Sequence, residues 1–174
     1  MAIEQLQDNI PDFAKDLRIN LSSVLAQPDL TPQQAWGTAL ACAIAARNPQ
    51  LLAAIEHDAQ VHLPADAQNG ARIAGAVMGM NNIYYRFQHL VEKERYRELP
   101  ARLRMQTLRT HGTDPADFEL WCLAVSAING CGTCVASHER EVLAKGMTEE
   151  HVVAAVRIAS VMHGVAAVLD SQPA

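Results

Sequence analysis

Aromatic side chains are scarce in this sequence: three Phe, three Tyr and two Trp among 174 residues. Such a shortage, in a chain that is 49% apolar and led by Ala, favours packed helices over sheets. No stretch alternates apolar and polar residues with period two, so the strand signal is missing as well. Positive charge is in deficit, with 14 Lys and Arg against 19 Asp and Glu, a net charge of −5. That balance argues against nucleic acid or an anionic membrane surface as the main partner. No apolar run approaches the roughly 20 residues of a membrane-spanning helix. The opening stretch "MAIEQLQDNIPDFAKDLRIN" has mixed charge and lacks the uninterrupted apolar core of a secretory signal. The expectation is a cytoplasmic protein, where a close cysteine pair is more often catalytic or metal-binding than a permanent staple.

What is present is helix almost throughout, and the class is all-α in a single domain over 1–174. Ile3, Leu6, Ile10, Phe13, Leu17 and Leu21 recur at helical spacing, with Pro11 marking a break. Thr31-Pro32 and Asp114-Pro115 each pair a cap with a first-turn proline. Pro49 and Pro64 open two further helices, the second with an expected apolar face through Ile73, Val77, Met80, Ile83, Tyr84 and Phe87. The charged piece from Glu92 to Arg109 reads as a solvated connector with some helix, and a last helix is expected from Thr148 to Leu169.

The chain also resembles itself. Shifted by 83 positions, Pro32 falls on Pro115, Leu40 on Leu123 and Ala53 on Ala136; shifted by 85, Arg72-Ile73-Ala74 falls on Arg157-Ile158-Ala159. This implies two related helical halves, about 30–90 and about 114–169. In the first half Trp36, Asn48, Leu51 and Ile55 stand where the second has Glu119, Cys131, Cys134 and His138. The chemistry is therefore expected in the second half.

Glu119 is the only carboxylate between Phe118 and Ile128, in a helix apolar on almost every side. Buried there, it would need a hydrogen-bonding or cationic partner; near the first turn it would be solvated or favoured by the helix dipole. Cys131, Cys134 and His138 fall on one helical stripe. At about 1.5 Å per residue, His138 lies roughly 6 Å along the axis from Cys134 and roughly 10 Å from Cys131. The imidazole therefore addresses Cys134 more easily, and Cys131 is expected nearer the exposed end. A cysteine in a first turn also has its thiolate favoured by the free N–H groups. The two-residue spacer lets the pair close a disulfide reversibly. Zinc is the alternative, with Cys131, Cys134 and His138 as three ligands and Glu119 or His163 as a fourth, but there is no second CxxC. A permanent disulfide or two inert thiols remain further alternatives. Cys42 and Cys122, alone on apolar faces, read as packing residues.

The pattern Glu119-x11-Cys131-x2-Cys134-x3-His138, in an Ala-rich helical chain of this length, resembles the alkyl hydroperoxide reductase D (AhpD) family of the carboxymuconolactone-decarboxylase-like superfamily. The resemblance implies a lipoyl-dependent peroxidase of antioxidant defence. Electrons would come from dihydrolipoamide on a lipoylated acyltransferase subunit, with no bound cofactor or metal. It assigns Cys134 as the peroxidatic nucleophile, Cys131 as the resolving thiol, the pair as a redox disulfide, and His138 and Glu119 as a proton relay. It also implies a homo-oligomer, commonly a trimer. The alternative function is a disulfide reductase or adaptor that recycles an AhpC-type peroxiredoxin, with Cys131 as the entry point for exchange. One departure is Thr133, where the family often has His.

The remaining histidines His57, His62, His89, His111 and His151 lie in polar or connector sequence and are expected to be solvated. His163, on the apolar last helix, reads as a core histidine that could line the pocket near His138. Trp36, Tyr84, Tyr85 and Trp121 are candidates for subunit contacts or a lipoyl channel.

Overall fold

Prolines and capping side chains set the helix starts. Thr31 closes a capping box with Gln34, its hydroxyl accepting from Gln34 N at 3.2 Å and its own N–H donating to Gln34 Oε1 at 3.0 Å. Pro32 then begins α3 (Pro32–Ala46). Asn48 accepts from Leu51 N at 2.8 Å and opens α4 (Pro49–Ala59). Asp114 accepts from Ala116 N and Asp117 N and opens α7 (Pro115–Ile128). Caps of this kind contribute about 1 kcal/mol each. The computed structural model describes residues 2–172. Its other helices are α1 (Ala2–Asp8), α2 (Lys15–Ser23), α5 (Ala65–Leu90), α6 (Glu94–Glu98), α8 (Gly132–Ala144) and α9 (Glu149–Asp170), with short 3-10 turns at Asp12–Ala14 and Gln106–Arg109. No strand occurs among the described residues.

Helix α3 packs against α5, α7 and α9, and α7 packs against α8, so these helices form the body of the fold. Helix α7 is its innermost member: Asp117, Phe118 and every residue from Leu120 to Ser126 are buried. Its contact with α3 is close because Gly37 has no side chain; a Cβ there would stand 2.2 Å from Cζ2 of Trp121. Trp121 is wholly buried and donates through Nε1 to the Gln34 carbonyl at 3.3 Å. Buried Asp117 joins the same seam, accepting from Gln33 Nε2 at 2.7 Å and Gln34 Nε2 at 2.9 Å. Both tryptophans are thus core residues, not a surface or channel lining.

The order α3, α4, α5 is echoed by α7, α8, α9, with Pro32 and Pro115 both at the first helical position. Asn48 and Cys131 occupy equivalent N-cap positions, before α4 and α8. In the first half the space behind that cap is filled: Leu51 and Ile55 are completely buried.

Helix α5 corrects the expected face. Its buried residues are Ala67, Gly70, Ala71, Ala74, Gly75, Met78, Asn81 and Asn82, while Ile83 and Phe87 point outward. Small side chains let α5 approach α3 closely, Gly75 lying against Ile44 and the Ala41 carbonyl. Of the expected face, Ile73 and Val77 still pack against the core, half-buried, while Ile83 and Phe87 are displaced to the outer side. Helix α9 is long and apolar enough to cross a membrane by composition, yet more than half of its apolar window is buried inside the fold, against α3 and α7. The segment after α5 is the expected exposed connector, with one short helix and one 3-10 turn.

Candidate active site

The site forms where α7 ends and α8 begins. Gly130 takes φ +65°, a left-handed conformation that glycine adopts without strain. The turn is held from outside by α5. Asn82 Nδ2 donates to Ser126 Oγ at 2.8 Å, Asn129 Nδ2 donates to Asn82 Oδ1 at 2.9 Å, and Arg86 Nη1 donates to the Asn129 carbonyl. One stripe of α5, residues 82 and 86, therefore fixes the backbone directly ahead of the cysteine pair. Sequence reasoning missed these residues. The signal was Asn81-Asn82, two amides side by side within a helix that otherwise buries small and apolar groups.

Cys131 is the N-cap of α8, its N–H donating to the Ser126 carbonyl at 3.1 Å. Cys134 lies one turn on, and the two form a disulfide with Cα atoms 5.3 Å apart. Their exposure reverses the expectation. Cys131 is 0% exposed and Cys134 7%, although Gly130, Gly132 and Thr133 beside them are exposed: the two cysteine side chains face the body of the fold from a turn that itself lies at the surface. Of the two, Cys134 keeps some exposure and borders a pocket, so it is the sulfur that can be reached.

His138 follows Cys134 by four residues on the same face. Its Nδ1 lies 2.7 Å from Glu119 Oε2, and the side chains are 19% and 24% exposed. An ionised carboxylate only accepts, so Nδ1 carries the proton and Nε2 is the free acceptor nitrogen. Glu119 thus lies past the first turn of α7, tied to the imidazole rather than left to solvent. Its charge is also felt by His111, which burial pushes down while Glu119 and Asp114 pull it up. Lys145, raised chiefly by its hydrogen bond to Glu141, feels Glu119 too.

Cys134 and His138 open onto a pocket of about 380 Å³ whose other walls are Met78, Asn81 and Tyr85 from α5, Met105 and Leu108 from the connector, and Thr133 and Ser137 from α8. It is apolar in most of its lining, with polar groups gathered at the cysteine end. A thiol, an imidazole acceptor within one helical turn and a carboxylate behind that imidazole form an arrangement suited to nucleophilic thiolate chemistry.

Elsewhere the expectations divide. Cys42 and Cys122 are free and buried, and burial pushes both thiols far up, with Glu119 adding to the effect at Cys122. They are inert packing residues, as read. His163 is exposed and borders a different pocket, with Ala127, Ile128, Val156, Ala159 and Ser160, so it neither belongs to the core nor reaches His138. His57, His62 and His89 are exposed as expected, His62 with one face stacked on Trp36 at 4.5 Å, but His111 is half-buried and stacked on Phe118 with centroids 4.0 Å apart. His151 accepts from Thr148 N at the start of α9. Tyr85 lines the cysteine pocket. Among the described residues, no three His, Cys, Asp or Glu side chains gather as a group able to hold a metal ion.

Residues 94–173 match the carboxymuconolactone decarboxylase family. Over nearly its whole length the chain is similar to curated proteins named alkyl hydroperoxide reductase AhpD. With the protein from Solibacter usitatus it shares 59% identity over 170 residues, covering 98% of this chain and 96% of the relative. With that from Acidobacterium capsulatum the identity is 55% over 173 residues, covering 99% and 94%. With that from Rhodospirillum centenum it is 52% over 174 residues, covering 100% and 94%.

Proposed function

Because this chain belongs to the alkyl hydroperoxide reductase AhpD family, we propose that it is a peroxidase of antioxidant defence, reducing hydroperoxides at the Cys131–Cys134 dithiol with electrons from dihydrolipoamide. The observation that carries this reading is the Glu119–His138 pair beside the reachable sulfur of a cysteine couple, on one largely apolar pocket.

In the reduced protein, His138 Nε2 accepts the Cys134 thiol proton and Glu119 stabilises the resulting imidazolium. The thiolate attacks the terminal oxygen of the hydroperoxide and the O–O bond breaks. Cys134 becomes a sulfenic acid, and the departing alkoxide takes the proton from His138 to leave as alcohol. Cys131 then attacks the Cys134 sulfur, expelling water and closing the disulfide; the 5.3 Å Cα separation lies in the range such a bond requires. Dihydrolipoamide returns two electrons and two protons by thiol–disulfide exchange, beginning at Cys134. Thr133 borders the pocket, and its hydroxyl is neither a base nor a cation near neutral pH, so the relay rests on Glu119 and His138. The donor is proposed to be the lipoyl arm of an acyltransferase subunit in the cytoplasm. The exposed Ile83, Phe87 and Leu90 on the outer side of α5 support a homo-oligomer, a trimer by family resemblance.

The test is steady-state hydroperoxide consumption with dihydrolipoamide and a regenerating dehydrogenase. Turnover that vanishes in Cys134→Ser supports the reading; full turnover in that variant overturns it. The second reading, service to an AhpC-type peroxiredoxin, rests on the same dithiol but must also start at Cys134, since Cys131 is buried. It is favoured instead if consumption requires an added peroxiredoxin.

A further inference from the structure

The turn that carries Cys131 is gripped more firmly than its conformation requires. Asn82, wholly buried on α5, donates through Nδ2 to Ser126 Oγ at 2.8 Å and accepts through Oδ1 from Asn129 Nδ2 at 2.9 Å. Ser126 in turn accepts the Cys131 N–H on its carbonyl at 3.1 Å. One side chain thus ties the last turn of α7 and the residue before Gly130 to a neighbouring helix. The first half of the chain supplies an internal control. Arg47 stands where the second half has Gly130, and both take φ +65°. At the places of Ser126 and Asn129 the first half has Ala43 and Ala46, which offer an amide no side-chain partner. That turn forms without a clamp, so the buried amide is not what bends the backbone. An apolar residue of similar size would fill the place of Asn82 with no polar group to satisfy. What distinguishes the second turn is the residue it delivers: Cys131 at the N-cap of α8, where the first half has Asn48 before α4.

We propose that Asn82 is a positioning residue for the resolving thiol, holding Cys131 where it can close on Cys134. The step it governs rests on the peroxidase reading above. Cys134 and His138 lie inside α8, one turn apart, and the helix itself fixes their spacing. Cys131 lies outside the regular helix, at its N-cap with φ −94° and ψ 87°, so its distance from Cys134 depends on the turn. In the dithiol and sulfenic acid forms no S–S bond holds the two residues together, and the Asn82 hydrogen bonds take over that task. Closing forms the S–S bond and breaks the S–O bond of the Cys134 sulfenic acid; the hydroxyl leaves as water with the Cys131 thiol proton. The rate of that step follows the effective concentration of one sulfur at the other, and so does the balance between disulfide and dithiol. Attack on the hydroperoxide uses Cys134, His138 and Glu119 and is independent of the clamp.

The test uses Asn82→Leu, which removes both hydrogen bonds at similar volume. Asn129→Ala, at a half-buried position, is the second variant should the first fail to fold; it removes one of the two bonds. The dithiol–disulfide equilibrium is measured in glutathione buffers, without hydroperoxide. Reduced protein is then mixed with cumene hydroperoxide by stopped flow, which separates oxidation of Cys134 from closing of the disulfide, and thermal melts are recorded on both redox forms. The expected result is an unchanged rate of Cys134 oxidation, closing about tenfold slower, and an equilibrium about tenfold less favourable to the disulfide, a shift of about 30 mV. Slower closing also leaves the sulfenic acid open to a second hydroperoxide, so sulfinic acid should build up on Cys134 in the variant. An unchanged equilibrium and closing rate would overturn the assignment. Equal slowing of both steps with a lower melting temperature would overturn it too, since the amide would then only support the fold. If the parent protein does not react with hydroperoxide, the peroxidase reading fails, and the glutathione equilibrium still upholds or overturns the placing of Cys131.

Discussion

Replacing Glu119 by Gln removes a charge from the relay while keeping its shape and its place behind His138. The carboxylate Oε2 lies 2.7 Å from His138 Nδ1, so the charge centres of a Glu–imidazolium pair would be about 4 Å apart. At an effective dielectric constant of about 20, two unit charges at that distance attract by about 4 kcal/mol. Both side chains keep some contact with solvent, at 19% and 24% exposure, and screening reduces the attraction to about 2 kcal/mol. In the proposed mechanism that energy acts only when His138 holds the Cys134 proton, the state that would precede attack. The variant should therefore oxidise about 30-fold more slowly at neutral pH, each 1.36 kcal/mol being a factor of ten. The assay is stopped-flow oxidation of the fully reduced protein by cumene hydroperoxide, with a thermal melt as the folding control. His138→Gln should lose at least as much, and the double variant should lose little beyond it, since the two act as one unit. A slowdown below about threefold, or losses that multiply in the double variant, would refute the coupling.

Cys131→Ser should consume one equivalent of hydroperoxide per chain and stop at a sulfenic acid that a dimedone probe captures by mass, whereas Cys134→Ser should show neither reaction. Capture on the second variant would exchange the two roles. Gly37→Ala should destabilise the fold by about 1–3 kcal/mol, because its Cβ would sit 2.2 Å from the Trp121 ring; a melting temperature equal to the parent's would show that α3 and α7 separate freely. Asp58 offers a pH test. Burial would raise its carboxyl, but hydrogen bonds from Ile3 N, His57 and Ala2 N outweigh that and hold it below the usual range. A depressed folded value means stability that is present above the unfolded pKa, about 3.9, and lost as pH falls through the folded value. The melting difference between the parent and Asp58→Asn should thus be largest near neutrality and shrink below about pH 4. A difference that stays constant with pH would contradict it.

The local signals that proved readable were those that act locally. Prolines and caps placed the starts of α3, α4 and α7, and helical spacing put Cys134 and His138 on one face. What could not be read depended on how closely helices approach. The buried side of α5 was read only in part: Ile73 and Val77 do pack against the core, but hydrophobicity also points to Ile83 and Phe87, whereas the packing there selects small residues that bring backbones together. Cys131 was placed at the exposed end because a position at a helix start says nothing about which way its side chain faces, and here it faces the packed helices while the turn itself is at the surface. His163 failed for a similar reason: an apolar helix still has one outward face, and that residue is on it. The Glu119–His138 pairing was suggested by the family pattern, but its 2.7 Å contact joins two helices and no spacing rule could supply it.

The burial of Cys131 has a kinetic consequence. With a single sulfur bordering the pocket, oxidant and reductant must use the same opening in turn, each meeting the enzyme in the form the other has left behind. For the proposed reaction a ping-pong rate law follows, and so does a penalty for excess: hydroperoxide crowding the disulfide form, or the proposed donor dihydrolipoamide crowding the dithiol form, would block the visitor that form is waiting for. Turnover should therefore peak when the two substrates are in balance and fall when either is supplied far beyond the other.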